Sequence, residues 1–110
     1  MRMWLAQLRK GVVELAVLAA LRDGEAYGYE LLQRLGAIDA LEVSESSIYP
    51  ILARLTRDGL VKVRAAASPN GPPRRYYRLT PSGRSRLREM QAHFHDLERG
   101  MRRLLQGDSS

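Results

Sequence analysis

Positively charged side chains, which are suited to binding a polyanion, are concentrated in the second half of the sequence. Residues 54–110 carry 13 Lys and Arg against 5 Asp and Glu, a net charge of +8, whereas residues 1–53 carry a net charge of −2. Because Lys and Arg neutralise phosphate groups, this asymmetry favours nucleic acid or an anionic membrane surface as a partner. The charge alone leaves ordinary solubility open as an alternative.

Side chains for catalysis or metal binding are scarce by comparison. The 110 residues include no Cys, which excludes disulfides and thiolate metal sites. His93 and His95 are two residues apart, so they would lie on different sides of a helix, unlike the i, i+4 pair that binds zinc. We place both histidines at the surface or at the margin of a dimer. With no glycine-rich phosphate loop and no evident His or acidic partner for the serines, the sequence predicts no enzyme, cofactor or metal site.

A membrane span is not expected either. The longest apolar run, Leu15 to Leu21, has Glu14 before it and Arg22 after it. It is much shorter than the roughly 20 residues that cross a bilayer. We therefore predict no membrane partner and a cytoplasmic location.

Two helices are predicted before residue 40. The first reaches about Arg22, and Gly11 would separate residues 1–10 as a short helix or an arm, because a glycine inside a helix costs about 1 kcal/mol relative to Ala. The second ends at Gly36. Their apolar positions recur at spacings of three and four. These positions are Leu5, Leu8, Val12, Leu15, Ala16 and Ala19 in the first helix and Leu31, Leu32, Leu35 and Ile38 in the second.

A third helix is predicted to begin near Ser46 and to end at Asp58-Gly59. The hydroxyls of residues 44–47 can cap the free N–H groups at a helix start. Pro50 favours the late start, because proline is tolerated only near the beginning of a helix or at a kink. The side chains expected to face inward are Ile48, Ile51, Leu52 and Leu55.

Two strands joined by a loop are predicted next. Apolar and basic residues alternate over residues 61–65, and farther on residues 75, 77 and 79 (Arg, Tyr, Leu) alternate with residues 74, 76 and 78 (Arg, Tyr, Arg), which is the two-residue period of a strand. Residues 68–73 between them, Ser-Pro-Asn-Gly-Pro-Pro, are unsuited to a strand and indicate a hairpin loop. The hairpin would carry basic side chains on both arms.

A long helix follows the hairpin. Thr80 and Pro81 predict its start, since a capping hydroxyl is followed by proline at the first helical position. A helix of about 25 residues extends roughly 37 Å, farther than the small domain before it could cover. Its apolar residues have the spacing of a coiled-coil seam, which predicts a homodimer; the alternative is that the seam packs on the first helix of the same chain. The seam residues are Leu87, Met90, Phe94, Leu97, Met101 and Leu104.

The order helix, helix, helix, strand, basic loop, strand is that of a winged helix-turn-helix. We therefore predict a mainly α (α+β) fold, with a winged helix-turn-helix and two-stranded wing over residues 1–80, a coiled-coil-like dimerisation helix over residues 81–106 and a disordered tail over residues 107–110. The third helix of such a domain can enter the major groove of DNA, about 12 Å wide, while the wing lies along the backbone or the minor groove.

Four motifs in a specific order carry a resemblance to a known family. They are Tyr27-Gly28-Tyr29-Glu30-Leu31, Ser47-Ile48-Tyr49-Pro50-Ile51-Leu52 with Leu55, Asp58-Gly59-Leu60-Val61, and Arg75-Tyr76-Tyr77-Arg78-Leu79-Thr80-Pro81-Ser82-Gly83. Over about residues 11–83 the sequence resembles PadR-type transcriptional regulators. The resemblance implies a bacterial or archaeal homodimer that binds an inverted repeat in double-stranded DNA, usually as a repressor. Ser46-Ser47 departs from the Gly-Thr common in relatives, as do the alanines at residues 65–67 in a wing arm that is often charged.

Seven residues are predicted to contact DNA. The resemblance implies that the hydroxyl of Tyr27 contacts the DNA backbone. Helix N-termini attract phosphate and their side chains lead into the groove, although capping would also explain the serines and partial burial the tyrosine. Flexible arginines beside the wing tip can neutralise phosphates or enter a narrow minor groove. The candidates are Tyr27, Ser46, Ser47, Tyr49, Arg54, Arg74 and Arg75.

Other polar and aromatic residues nearby are interpreted structurally. Gly28 is expected to permit close helix packing, and Tyr29 is expected in the core. Alternation along a strand sends Arg74 and Arg75 to opposite faces, so one of them could serve the fold instead. The arginines assigned to solvent are Arg57, Arg84, Arg86 and Arg88.

Control by a small hydrophobic or aromatic effector is a further hypothesis that the resemblance implies. The residues suited to lining such a pocket at a dimer interface are Trp4, Met90, Phe94 and Met101, with ordinary core packing as the alternative. Two other functions stay open beside the specific regulator. One is a winged helix that binds DNA or RNA without specificity, and the other is a protein-interaction module that keeps the fold.

Overall fold

The computed structural model describes residues 3–107 and confirms the predicted fold class of a mainly helical winged helix. The predictions for residues 1–2 and for the tail at residues 108–110 lie outside the described residues. The elements follow in the order α1 (Met3–Ala20), β1 (Ala26–Tyr27), α2 (Gly28–Gly36), a 3-10 turn (Asp39–Leu41), α3 (Glu45–Arg57), β2 (Val61–Ser68), β3 (Gly71–Leu79) and α4 (Pro81–Leu105).

The core lies where α1, α2, α3 and the base of the sheet meet. Its fully buried side chains come from one face of each helix, as the three-and-four spacing requires. Burying a Leu or Ile side chain contributes about 1.5–3 kcal/mol, so this cluster supplies the main stabilisation of the domain. The largest fully buried side chains are Val17, Leu18, Leu21, Leu31, Ile48, Leu52 and Leu55.

Helix α1 is continuous, so no separate arm or short helix forms over residues 3–10. Gly11 is exposed and has open space around it, and packing of the helix on the domain offsets its low helix propensity. The predicted apolar face is only partly buried: Leu8 remains 67% exposed, while Val13 and Val17 on an adjacent face enter the core. The predicted face of α1 was therefore wrong by a rotation about the helix axis. One set of its apolar residues packs in the core, and another set, including Leu8, faces α4.

Helix α3 begins at Glu45, one residue earlier than predicted, with Ser44 as its N-cap. The predicted inward side chains are confirmed, with Ile51 only half-buried. Pro50 lies inside the helix, in its second turn. It leaves the carbonyl of Ser46 without the usual helical hydrogen bond, which is tolerated at this exposed end. In α2 the predicted Ile38 lies beyond the helix end and is 52% exposed.

The wing differs from its prediction at both ends. At its base the two-residue strand β1 pairs with β3, so the sheet has three strands in the order β1-β3-β2. At its tip only Pro69 and Asn70 separate the strands, and the predicted loop was too long. Pro72 and Pro73 belong to β3, where the pairs Ala66–Arg74 and Ser68–Gly71 leave them opposite a single residue. This irregularity is a β-bulge, which accepts residues that have no N–H to donate.

Helix α4 starts as predicted. The hydroxyl of Thr80 accepts a hydrogen bond of 3.0 Å from the N–H of Gly83, and Pro81 is the first helical residue. Gly83 packs on the backbone of Leu60, where an added Cβ would lie 2.0 Å from the carbonyl oxygen. Beyond Met90 every residue of α4 is exposed, so the helix projects away from the domain.

Candidate nucleic-acid interface

A cleft of about 1160 Å³ lies between α3 and the wing. One wall is formed by the exposed face of α3, with Tyr49, Ala53 and Arg57, and the other by residues 68–75 of the wing. Tyr27, Gly28 and Tyr29, where β1 passes into α2, close its inner end. The cleft therefore has a helix, a basic hairpin and aromatic rings on one surface.

The start of α3 is held together by its own serines. The N–H of Ser44 donates to the Ser47 hydroxyl over 2.9 Å, and that hydroxyl donates to the Ser44 carbonyl over 3.0 Å. The hydroxyls of Ser44 and Ser46 lie 2.9 Å apart. Ser47 is thus engaged in capping, whereas Ser46 is exposed at the front of the helix, where the free N–H groups attract anions.

Tyr49 projects from α3 over the start of α2 and is 41% exposed. A Cβ at Gly28 would lie 2.7 Å from the Tyr49 Cε1 atom and 2.9 Å from its hydroxyl oxygen. Gly28 therefore permits the close contact that the sequence predicts. The prediction for Tyr29 was wrong, because this side chain is 53% exposed and lines the cleft. Tyr29 is exposed because the side of the short helix α2 that faces the core is already occupied by Leu31 and Leu35.

The predictions for Arg54 and Arg57 were reversed: Arg54 was expected to contact DNA and Arg57 to face solvent away from it. Arg54 forms an ion pair with Glu14 of α1, away from the cleft, whereas Arg57 lines the cleft. The helical period explains the difference: Arg57 is about three turns after Ser46 and shares its face, while Arg54 is about two turns after Ser47. Arg57 and Tyr29 are two cleft residues that were not predicted from the sequence, and the eleven-residue spacing from Ser46 was the available signal for Arg57.

The wing arginines Arg74 and Arg75 both line the cleft. Arg74 shares the outer face of the sheet with Tyr76, and its guanidinium carbon lies 4.5 Å from the ring centroid of Tyr27. Arg75 is on the other face, next to the buried Tyr77. Burial raises the pKa of the Tyr77 phenol, and the charge of Arg75 acts in the opposite direction.

The outer face of the sheet contains an ion pair as well. Arg64 donates to Glu25 through two nitrogens, and its guanidinium carbon lies 4.7 Å from the centroid of the Tyr76 ring. The hydrogen bond from Arg64 holds the pKa of the Glu25 carboxyl below its ordinary value of 4.5. The rings of Tyr27 and Tyr76 meet edge to face, with centroids 5.7 Å apart.

The predicted dimer seam is only partly covered within this chain. Leu87 is buried and Met90 half-buried against the domain, so the alternative of intrachain packing holds for this first part of the seam. Four seam residues farther along α4 are exposed, by 38% for Phe94, 63% for Leu97, 42% for Met101 and 74% for Leu104.

A groove of about 580 Å³ between α1 and α4 contains part of the predicted effector set. Met90 and Phe94 line it together with Leu8 and His93, whereas Trp4 and Met101 lie outside its lining. His93 and His95 are both exposed, as expected for the surface.

Two further kinds of site are absent from residues 3–107. No group of three or more His, Cys, Asp or Glu side chains there is arranged to hold a metal ion. Among the helices described, none combines the length and apolar character that crossing a membrane requires.

The sequence between α1 and α4 matches a known family. The model of the "Transcriptional regulator PadR-like family" covers residues 17–89, from the buried end of α1 into α4. The chain belongs to this family. The predicted resemblance is confirmed, and as a PadR-like protein the chain is a DNA-binding transcriptional regulator rather than an enzyme.

Relatives and solved structures agree with this assignment. Transcriptional regulator Rv3488 of Mycobacterium tuberculosis is 36% identical over 93 residues, which are 84% of this chain and 85% of that protein. The crystal structure of a PadR-like regulator from Bacillus cereus superposes with a TM-score of 0.81 at 37% identity, covering 93% of this chain and 99% of the other. Bacillus subtilis PadR in complex with operator DNA is 31% identical, with a TM-score of 0.66, and the match covers 73% of this chain and 46% of that one.

Proposed function

We propose that this PadR-like regulator is a cytoplasmic repressor that binds an inverted repeat in double-stranded DNA as a homodimer. The observation that carries the proposal is the cleft, in which the exposed face of α3 and the wing arginines lie on one surface. The similarity to Bacillus subtilis PadR, solved with operator DNA, supports the same use of the fold here.

In this proposal α3 enters the major groove and the wing follows the DNA backbone. Ser46 and Tyr49 at the start of α3 reach phosphates or base edges, since a helix N-terminus favours anions, while the Ser47 hydroxyl stays in the cap. Arg57 extends this contact along the face of α3 that lines the cleft. Arg74 and Arg75 neutralise phosphates from the wing, and Arg54 has a secondary role because Glu14 already binds it.

The homodimer in the proposal forms through α4. Phe94, Leu97, Met101 and Leu104 are exposed, apolar and on one side of the helix. Apolar residues repeated at this spacing associate with a second helix, and a two-fold dimer presents two copies of α3 to two half-sites.

Selection of bound duplexes from a random DNA pool at near-physiological salt tests the proposal. We expect enrichment of an inverted repeat whose half-sites are about 10 base pairs apart or a multiple of that distance. Binding without enrichment would instead support the alternative that the winged helix binds DNA or RNA without sequence specificity. No binding to any nucleic acid at low salt would support a protein-interaction module.

Repression is the expected consequence when the repeat overlaps a promoter. The relative named "Negative transcriptional regulator PadR" of Bacillus subtilis, 32% identical over 82 residues, supports repression rather than activation. In vitro transcription from a promoter carrying the selected repeat should fall as protein is added. An increase in transcript would show that the protein activates transcription from this DNA site instead of repressing it.

The groove between α1 and α4 supports control of DNA binding by a small effector. Met90 and Phe94 offer apolar contact for a small aromatic or hydrophobic compound, and its walls include an exposed seam residue, Leu97. An effector changes DNA affinity only if it binds the two dimer geometries unequally. A panel of phenolic acids and hydrophobic cations that alters neither DNA affinity nor the fluorescence of Trp4 would contradict this part.

A further inference from the structure

The geometry points to Tyr27 as a positioning residue: its ring holds the Arg74 guanidinium at the cleft, so that Tyr27 contributes to DNA affinity through Arg74. This inference rests on the proposed binding of DNA in the cleft. It gives the Tyr27 ring a role that does not depend on the hydroxyl.

The positioning depends on a stack of four side chains across the outer face of the sheet. Arg64, Tyr76, Tyr27 and Arg74 follow one another, with the two arginines on the outside and the two rings between them. The guanidinium carbons lie 4.7 Å and 4.5 Å from the ring centroids beneath them, within the range of a cation–π contact.

The two ends of this stack differ in charge compensation. Arg64 is paired with the carboxylate of Glu25. Over residues 3–107, the Arg74 guanidinium forms no hydrogen bond and no ion pair, so the Tyr27 ring is its one specific contact. The charge of Arg64 is therefore committed to the fold, while the charge of Arg74 is held in place and left available for a phosphate.

Tyr27 is well suited to hold another side chain because its own backbone is fixed on two sides. Its N–H donates to Glu30 over 3.0 Å at the start of α2, and its strand pairs with Tyr76 of β3. A flexible arginine loses rotamer freedom when it binds a phosphate, and a ring that restrains it beforehand reduces that loss.

Tyr27→Phe and Tyr27→Leu, each made alone and with Arg74→Ala, test the inference. The probe is a fluorescent DNA duplex of random sequence at low salt, which needs no knowledge of the operator. Tyr27→Phe keeps the ring and should bind like the unmodified chain. Tyr27→Leu should weaken binding by about two- to fivefold, the range of an exposed cation–π contact. In the Arg74→Ala background, Tyr27→Leu should have no further effect.

Arg78→Ala is the matched control, because Arg78 is exposed on the same face of β3 without a ring under its guanidinium among the described residues. In that background the effect of Tyr27→Leu should persist. Equal losses in Tyr27→Phe and Tyr27→Leu would overturn the inference in favour of a hydroxyl contact, and so would an unchanged effect of Tyr27→Leu in the Arg74→Ala background.

Circular dichroism accompanies each variant. Should Tyr27→Leu not fold, Tyr27→Met takes its place: weaker binding that disappears in the Arg74→Ala background supports the inference, and affinity within about twofold of the unmodified chain overturns it. An unmodified chain that binds no duplex would contradict the proposed function itself, which is a different result from binding that ignores Tyr27.

Discussion

The cleft face and the outer part of α4 are both exposed, but they have opposite chemistry. The cleft presents arginines and tyrosines, including Arg57, Arg74 and Tyr29. The outer α4 surface presents Phe94, Leu97, Met101 and Leu104, of which Leu104 is 74% exposed. One surface is suited to a polyanion and the other to a second apolar surface.

The comparison shows that the exposure of a surface does not by itself identify its partner. The side chains on that surface must also be considered. Water solvates the cations of the cleft well, so they cost the monomer little until a phosphate displaces that water. Exposed apolar side chains in a continuous stripe gain free energy whenever another surface covers them. The seam should therefore affect assembly and the cleft should affect affinity, and the following variants separate these two effects.

The largest effect is expected from Phe94→Lys combined with Leu97→Lys. The two charges make the seam unsuitable for a second copy, so analytical ultracentrifugation should show a monomer. DNA affinity should fall about a hundredfold or more, because linking two binding units raises avidity by about 10²–10⁴.

Ser85→Lys with Ala92→Lys is the control for that variant. Both residues are exposed on the opposite side of α4, and the added charge is the same. This pair should remain dimeric. A dimer that survived the seam substitutions would show that the interface lies elsewhere.

The next effect is expected from Arg74→Ala combined with Arg75→Ala. Loss of two phosphate contacts should weaken binding about tenfold at near-physiological salt for all sequences alike, and should flatten the slope of log K against log salt by roughly one or two units. The dimer should persist. Arg88→Ala with Arg99→Ala removes the same charge from α4, and a slope equal to that of this control would show that the wing does not contact phosphates.

A smaller effect is expected from Gly28→Ala. The added methyl group must displace the Tyr49 ring, whose nearest atom would otherwise lie 2.7 Å away. If Tyr49 donates one hydrogen bond to DNA, worth about 1 kcal/mol, affinity measured by fluorescence anisotropy should fall about fivefold. Gly36→Ala is the control, since the space around Gly36 is open. An equal loss when Gly28→Ala is added to Tyr49→Ala would contradict this explanation.

The smallest effect is expected from the ion pair on the outer face of the sheet. The pKa of Glu25 is lowered in the folded chain, so the pair stabilises the fold above the ordinary value of 4.5 and loses this effect as pH falls through the lowered pKa. The melting temperature of Glu25→Gln should therefore be below that of the unmodified chain at neutral pH and converge with it in acid. Arg64→Gln removes the same pair and should behave alike; a difference independent of pH would assign the effect to packing.

Local patterns predicted most of the elements. The capping hydroxyl and proline at Thr80 and Pro81 marked the start of α4, and alternation along β2 and β3 marked the strands of the wing. The winged-helix order followed from these elements. Two local signals against regular structure were overridden: β3 accommodates Pro72 and Pro73 at a bulge, and packing of α1 offsets the low helix propensity of Gly11.

Partners of individual side chains were decided by tertiary structure. Spacing places Arg54 and Arg57 only about 60° apart around α3, and the position of α1 directs Arg54 to Glu14 and leaves Arg57 at the cleft. Tyr29 was assigned to the core by its type, and the packing of α2 exposes it.

The sequence by itself determined the kinds of element, their order and the chemistry available on each, because these depend on neighbours within a turn or a strand pair. Tertiary structure decided which side of α1 was covered and, over residues 3–107, which wing arginine was ion-paired. The physical reason is that burial and ion pairing depend on contacts between distant segments, such as Arg64 with Glu25 and Arg74 with Tyr27, and no local period encodes those contacts.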